Sequence, residues 1–117
     1  MSEDSLTGIR DRMRDFTRER DWGKFHDPKS LALALVGEVG ELAELLQWLP
    51  ADEAARLADQ EPLNARLGEE ISDVLIYLVR LADVCRVDLP EAVEAKMNAS
   101  AQRFKPAEVQ GFAPEKR

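Results

Sequence analysis

Thiol chemistry is almost absent from this chain: Cys85 is its one cysteine, so neither an internal disulfide nor a multi-cysteine metal site can form. Histidine is equally scarce, and the lone His26 removes HExxH zinc sites and most other histidine-based designs. No apolar run approaches the roughly 18–20 residues of a membrane span, and the opening MSEDSLTGIR lacks the apolar segment of a signal peptide. A reducing, cytoplasmic address and no membrane partner are therefore expected. Positive charge is also short, with 16 Lys+Arg against 23 Asp+Glu for a net charge of −7, and no basic cluster beyond the mixed stretch Arg10 to Arg20. Such a chain repels nucleic-acid backbones, so nucleic acid is not an expected partner. A compact polyanion could bind only if cations were recruited locally. What is present is ordinary for a globular protein: 117 residues, one domain's worth, with 44% apolar and 33% charged residues.

Prolines at 28, 50, 62, 90, 106 and 114 cut the chain into helix-length blocks, and nothing between them alternates as a strand would. Leu6, Ile9, Met13 and Phe16 share one helical face, and the loop 21–26 ends that helix. Asp27-Pro28 supplies a cap and a first-turn proline for a second helix to about Leu49. Residues 50–62 read as a polar connection with a helical turn or two. A third helix covers about 63–86, with Leu67, Ile71, Val74, Leu78, Leu81 and Cys85 in the rows expected to be buried. Asp88-Leu89-Pro90-Glu91 opens a fourth, with Leu89, Val93, Met97, Ala101 and Phe104 on one face. The expectation is an all-α, four-helix bundle over residues 1–104, followed by an irregular tail over 105–117.

Four acidic residues interrupt these apolar rows. Glu38 sits in a leucine row with Glu41 at i+3, and Glu70 with Asp73 repeats the device on the third helix. An ionised carboxylate held in an apolar setting must be paired, neutralised or metal-bound. The nearest basic residues by helical spacing are Arg66, four before Glu70, and Arg80, seven after Asp73. An oxygen-only cluster suits a hard cation, magnesium or manganese, and does not suit zinc. Exposed Glu-x-x-Glu pairs are common on helices, and a solvated face is the competing reading. Gly37 and Gly40 flank Glu38 at roughly 1 kcal/mol each relative to alanine; either a closely approaching backbone or ligand, or plain small-residue packing, would account for them. Trp22, Trp48 and Tyr77, with Lys96 and Arg103, stand where they could surround a ligand held by a metal, and each also reads as core rim or solvated charge.

The stretches RDWGKFH (20–26), LVGEVGELAEL (35–45), EEISDVLIYL (69–78) and CRVDL (85–89) resemble the MazG-like nucleotide pyrophosphohydrolases, nearest to their dCTP pyrophosphatase branch, over residues 6–104. The resemblance implies an all-α enzyme, dimeric or tetrameric, that cleaves a nucleoside triphosphate between the α and β phosphates and serves nucleotide-pool sanitation. It further implies Glu38, Glu41, Glu70 and Asp73 as magnesium ligands, Trp22, Trp48 and Tyr77 around the base, and Lys96 and Arg103 near the phosphates. Glu41, or equally Glu38, would take the proton from the attacking water. Ser100 stands where the family has asparagine, and Met13 where relatives carry a base-recognising histidine. Those two departures motivate the rival expectation of a catalytically inactive interaction module on the same scaffold.

Overall fold

Three of the four long helices begin where a short polar side chain satisfies an orphan amide group, while the longest follows Pro62 with no side-chain cap. In the computed structural model, which describes residues 5–113, α1 (Leu6–Glu19) is capped by Ser5, whose Oγ accepts from the Gly8 N–H at 3.0 Å. Asp27 caps α2 (Pro28–Leu46): its two carboxylate oxygens accept from the Ser30 N–H at 2.9 Å and the Ser30 hydroxyl at 2.6 Å. Asp88 caps α5 (Leu89–Arg103) through the Glu91 N–H at 3.1 Å. Between them lie α3 (Ala54–Ala58) and α4 (Leu63–Val84), and α6 (Pro106–Val109) follows.

Helix ends differ from the sequence expectation in three places. The second helix stops at Leu46 rather than Leu49, since Pro50 disfavours helical backbone in the residue before it. The third ends at Val84 rather than 86, because Arg86 turns left-handed at φ 59°. There the Val87 N–H reaches the Ala82 carbonyl at 2.8 Å and the Arg86 N–H reaches that of Asp83 at 3.0 Å, the paired bonds of a Schellman stop. The tail is not wholly irregular: Pro106, preset for a first helical turn, starts the short α6.

α4 is the axis against which α1, α2, α3 and α5 pack. A single chain covers little of its apolar surface: Leu31, Leu67, Val79 and Thr17 are the buried residues among those described. Ile71, Leu78 and Cys85, expected in buried rows, are exposed, as are Val93 and Met97 of α5. The radius of gyration is 17.4 Å, against about 13 Å for a compact domain of this length. The accessible surface of 9203 Å² likewise exceeds the roughly 6400 Å² of a folded monomer of this mass. Apolar side chains with the right helical period lie outward because the described residues offer nothing to pack on them. No helix among the described residues is long and apolar enough to cross a membrane.

A long β-carbon-bearing side chain at positive φ is strained. Arg86→Gly should therefore raise stability by about 1 kcal/mol, read as a higher urea midpoint at unchanged slope. A lowered midpoint would contradict the strain assigned to this turn.

Candidate functional site

The pairing of α2 with α4 brings the acidic residues together. One carboxylate oxygen each from Glu38, Glu41 and Glu70 lies within 4.8 Å of the other two. Glu38 and Glu70 are half-buried and Glu41 is exposed. Within the cluster, one oxygen of Glu38 and one of Glu70 (Oε2 in both) are sealed from solvent without a hydrogen-bond partner among the described residues. Burial, then the charges of Glu41, Asp73 and Glu70, push Glu38 above the usual carboxylate range. Burial, the hydrogen-bonded Glu41 carboxyl, and the Asp73 and Glu69 charges do the same to Glu70. Every one of these influences raises the pKa, and no arginine or lysine offsets them. Asp73 is exposed and stands outside the triplet, close enough to act on both glutamates electrostatically. Two enclosed oxygens without donors, in an all-oxygen set, fit a hard divalent cation.

Farther along α4, Tyr77 faces a cavity of 180 Å³ shared with Trp22, His26 and Met13. A neighbouring hollow of 340 Å³ shares Met13, Phe16 and Ile76 as walls. Trp22 reaches this place because α1 also ends in a Schellman stop: Asp21 takes φ 52°, and the Trp22 N–H donates to the Thr17 carbonyl at 3.0 Å. Aspartate tolerates that backbone well. The indole then meets the Phe16 ring edge-on, centroids 5.7 Å apart at 71°. Arg20 covers Phe16, its guanidinium 3.6 Å from the ring centroid. Aromatic walls whose Tyr77 lies two helical turns along α4 from Glu70 can hold the flat ring of a ligand whose anionic tail extends toward the acidic cluster.

Three expected site residues stand elsewhere. Trp48 is 86% exposed, Lys96 and Arg103 are exposed on α5, and none of them lines the cavity. A Cβ at Gly37 or Gly40 would meet nothing within 4 Å, so no close approach among the described residues accounts for either glycine.

The MazG nucleotide pyrophosphohydrolase domain model matches residues 26–106, which hold α2 to α5 and all four acidic residues. The chain belongs to the MazG nucleotide pyrophosphohydrolase family. It is 54% identical over 103 residues to dCTP pyrophosphatase 1 of Bos taurus, and 53% identical over 102 residues to that of Homo sapiens. These alignments cover 88% and 87% of this chain, which spans about three-fifths of the length of the two relatives (61% and 60%). The crystal structure of a pyrophosphatase from Archaeoglobus fulgidus superposes with a TM-score of 0.77 at 37% identity, covering 86% of this chain and 92% of that one.

Sequence reasoning on this MazG chain singled out neither Phe16 nor His26 as cavity walls, and it considered Arg80 only as a distant counter-charge. The available signals were spacing and motif: Arg80 follows Tyr77 at i+3, and His26 lies within the motif stretch that carries Trp22.

In the metal-free MazG protein Glu38 and Glu70 oppose folding. Their folded pKa values lie above the unfolded ones, so this penalty is absent below the unfolded carboxylate range and grows as pH rises through the raised values. With chelator present, Glu38→Gln should unfold at a higher temperature than the unaltered chain at pH 8, and the gap should close near pH 4. A variant less stable at pH 8 would contradict the repulsion.

Proposed function

We propose that this protein is a magnesium-dependent nucleoside triphosphate pyrophosphatase, with manganese a workable substitute, that converts dCTP to dCMP and pyrophosphate in cytoplasmic nucleotide-pool sanitation. The observation that carries this reading is the convergence of Glu38 and Glu41 of α2 with Glu70 of α4 within 4.8 Å, on the helix that two turns farther along supplies Tyr77 to an aromatic cavity. The base is argued from the mammalian relatives, which are named dCTP pyrophosphatase 1. In this reading residues 1–104 form the catalytic domain, and 105–117 the tail.

Glu38, Glu41, Glu70 and Asp73 hold the cation. It supplies charge neutralisation for the triphosphate and acidification of the attacking water. Glu41 or Glu38 accepts the proton of that water, and the raised pKa of Glu38 brings it nearer the operating pH of a general base. No nucleophilic side chain is needed, because this chemistry is chiefly positioning and charge stabilisation. Trp22 and Tyr77 flank the base, and stacking contributes about 1–3 kcal/mol per aromatic contact.

Trp48, Lys96 and Arg103 belong to the same reading as base- and phosphate-contacting groups that a neighbouring subunit helps to bring in. The exposure of Trp48 and the large outward apolar surface support a homodimer or homotetramer. Light scattering should then give two or four times the 13.2 kDa chain mass, and a stable monomer at micromolar concentration would contradict the assembly.

Incubation with dCTP and magnesium should yield dCMP and pyrophosphate. Asp73→Asn should reduce turnover about 100-fold or more while the helical circular-dichroism signal persists. Orthophosphate with dCDP would overturn the choice of bond. Absence of any triphosphate turnover, with stability indifferent to magnesium, would favour a catalytically silent interaction module.

A further inference from the structure

A chain of polar contacts behind the aromatic cavity joins three parts of the fold and ends on the chain's one histidine. Arg14 of α1 donates Nε–H and Nη2–H to the Asp83 carboxylate at 2.8 and 2.6 Å. Asp83 of α4 also accepts from Arg80 Nη1 at 3.4 Å. Arg80 in turn donates its Nε–H to Nδ1 of His26 at 3.0 Å. The side chains of Arg80 and Asp83 are only 13% and 10% exposed. Arginine has no lone pair to offer, so Nδ1 must carry the lone pair, and in the neutral ring the proton sits on Nε2. An imidazolium would set an N–H against an N–H. Burial, then the Arg80 charge, also hold His26 below its ordinary range. Asp83, kept ionised chiefly by its hydrogen bonds from Arg14, balances the guanidinium that would otherwise sit uncompensated against the ring.

We infer that Arg80 is a positioning residue which, braced by Asp83 and Arg14, locks His26 in the single tautomer that presents Nε2–H as a donor at the Trp22–Tyr77 cavity. His26 and Arg80 both line that cavity, and Nε2 has no hydrogen-bond partner among the described residues. The cavity is thereby biased toward a ring edge bearing an acceptor, such as a pyrimidine carbonyl, over one bearing only a donor. The kinetic part of this inference rests on the nucleotide-hydrolase reading; the tautomer does not.

Because His26 is the only histidine, its imidazole nitrogens give an unambiguous two-bond 15N–1H correlation. The unaltered protein should show one tautomer, Nε2 protonated and Nδ1 bare. Arg80→Met should relax it to a mixture and raise KM for dCTP about tenfold with kcat within about twofold. Arg80→Lys keeps a cationic donor and should restore the single tautomer and most of the KM. A tautomer mixture in the unaltered protein overturns the inference even if Arg80→Met does not fold. An unchanged tautomer in a folded Arg80→Met overturns it as well, leaving Arg80 a structural residue. Failure of the unaltered protein to hydrolyse dCTP, with the tautomer lock intact, refutes the substrate reading and upholds the positioning role.

Discussion

Like charges forced together on two packed helices are the constraint from which the rest follows. α2 and α4 share the main interhelical contact of the chain, and that contact carries Glu38 and Glu41 against Glu70, with Asp73 nearby. Nothing within the described residues relieves the repulsion: the influences on Glu38 and Glu70 all disfavour ionisation, and two carboxylate oxygens are enclosed without donors. A packing contact arranged this way lowers the stability of the metal-free fold and is explained by a cation that turns the repulsion into coordination. In the proposed function the same cation would also offset the mismatch between a protein of net charge −7 and an anionic nucleotide.

The second theme is incompleteness. Apolar side chains face outward from α2, α4 and α5, and Trp48 stands almost wholly in solvent. Surface of that kind marks interaction sites, and in the proposed assembly a partner subunit covers it and also carries residues to the ligand. Stability and substrate contact then depend on the same subunit interface. Inside one chain, by contrast, the Trp22–Tyr77 cavity is already shaped by the Schellman turn at Asp21 and by the Phe16 edge.

Much of the helical framework was legible in the sequence, because caps and prolines leave local signatures: Asp27-Pro28 and Asp88-Leu89-Pro90 open helices where those signatures put them. The acidic pairs were legible because i, i+3 carboxylates break an apolar row. Burial was not. Ile71, Leu78 and Met97 have the period of core residues and lie exposed, since periodicity marks a face that seeks cover without saying whether the same chain supplies it. The Arg14–Asp83–Arg80–His26 chain was not legible either, because Arg14 and Asp83 are 69 residues apart and neither belongs to a motif. The family resemblance stated from EVGELAE and EEISDVLIYL agrees with the domain match over residues 26–106.

The most direct test of the account is a titration of the purified protein with Mn²⁺ followed by electron paramagnetic resonance, in which bound ions lose the free-ion signal. Saturable binding that Mg²⁺ displaces, and that Glu41→Gln or Glu70→Gln removes in a folded protein, is the predicted result. Equal binding by those variants, or no saturable binding to the unaltered chain, would contradict a cation seat built from these carboxylates.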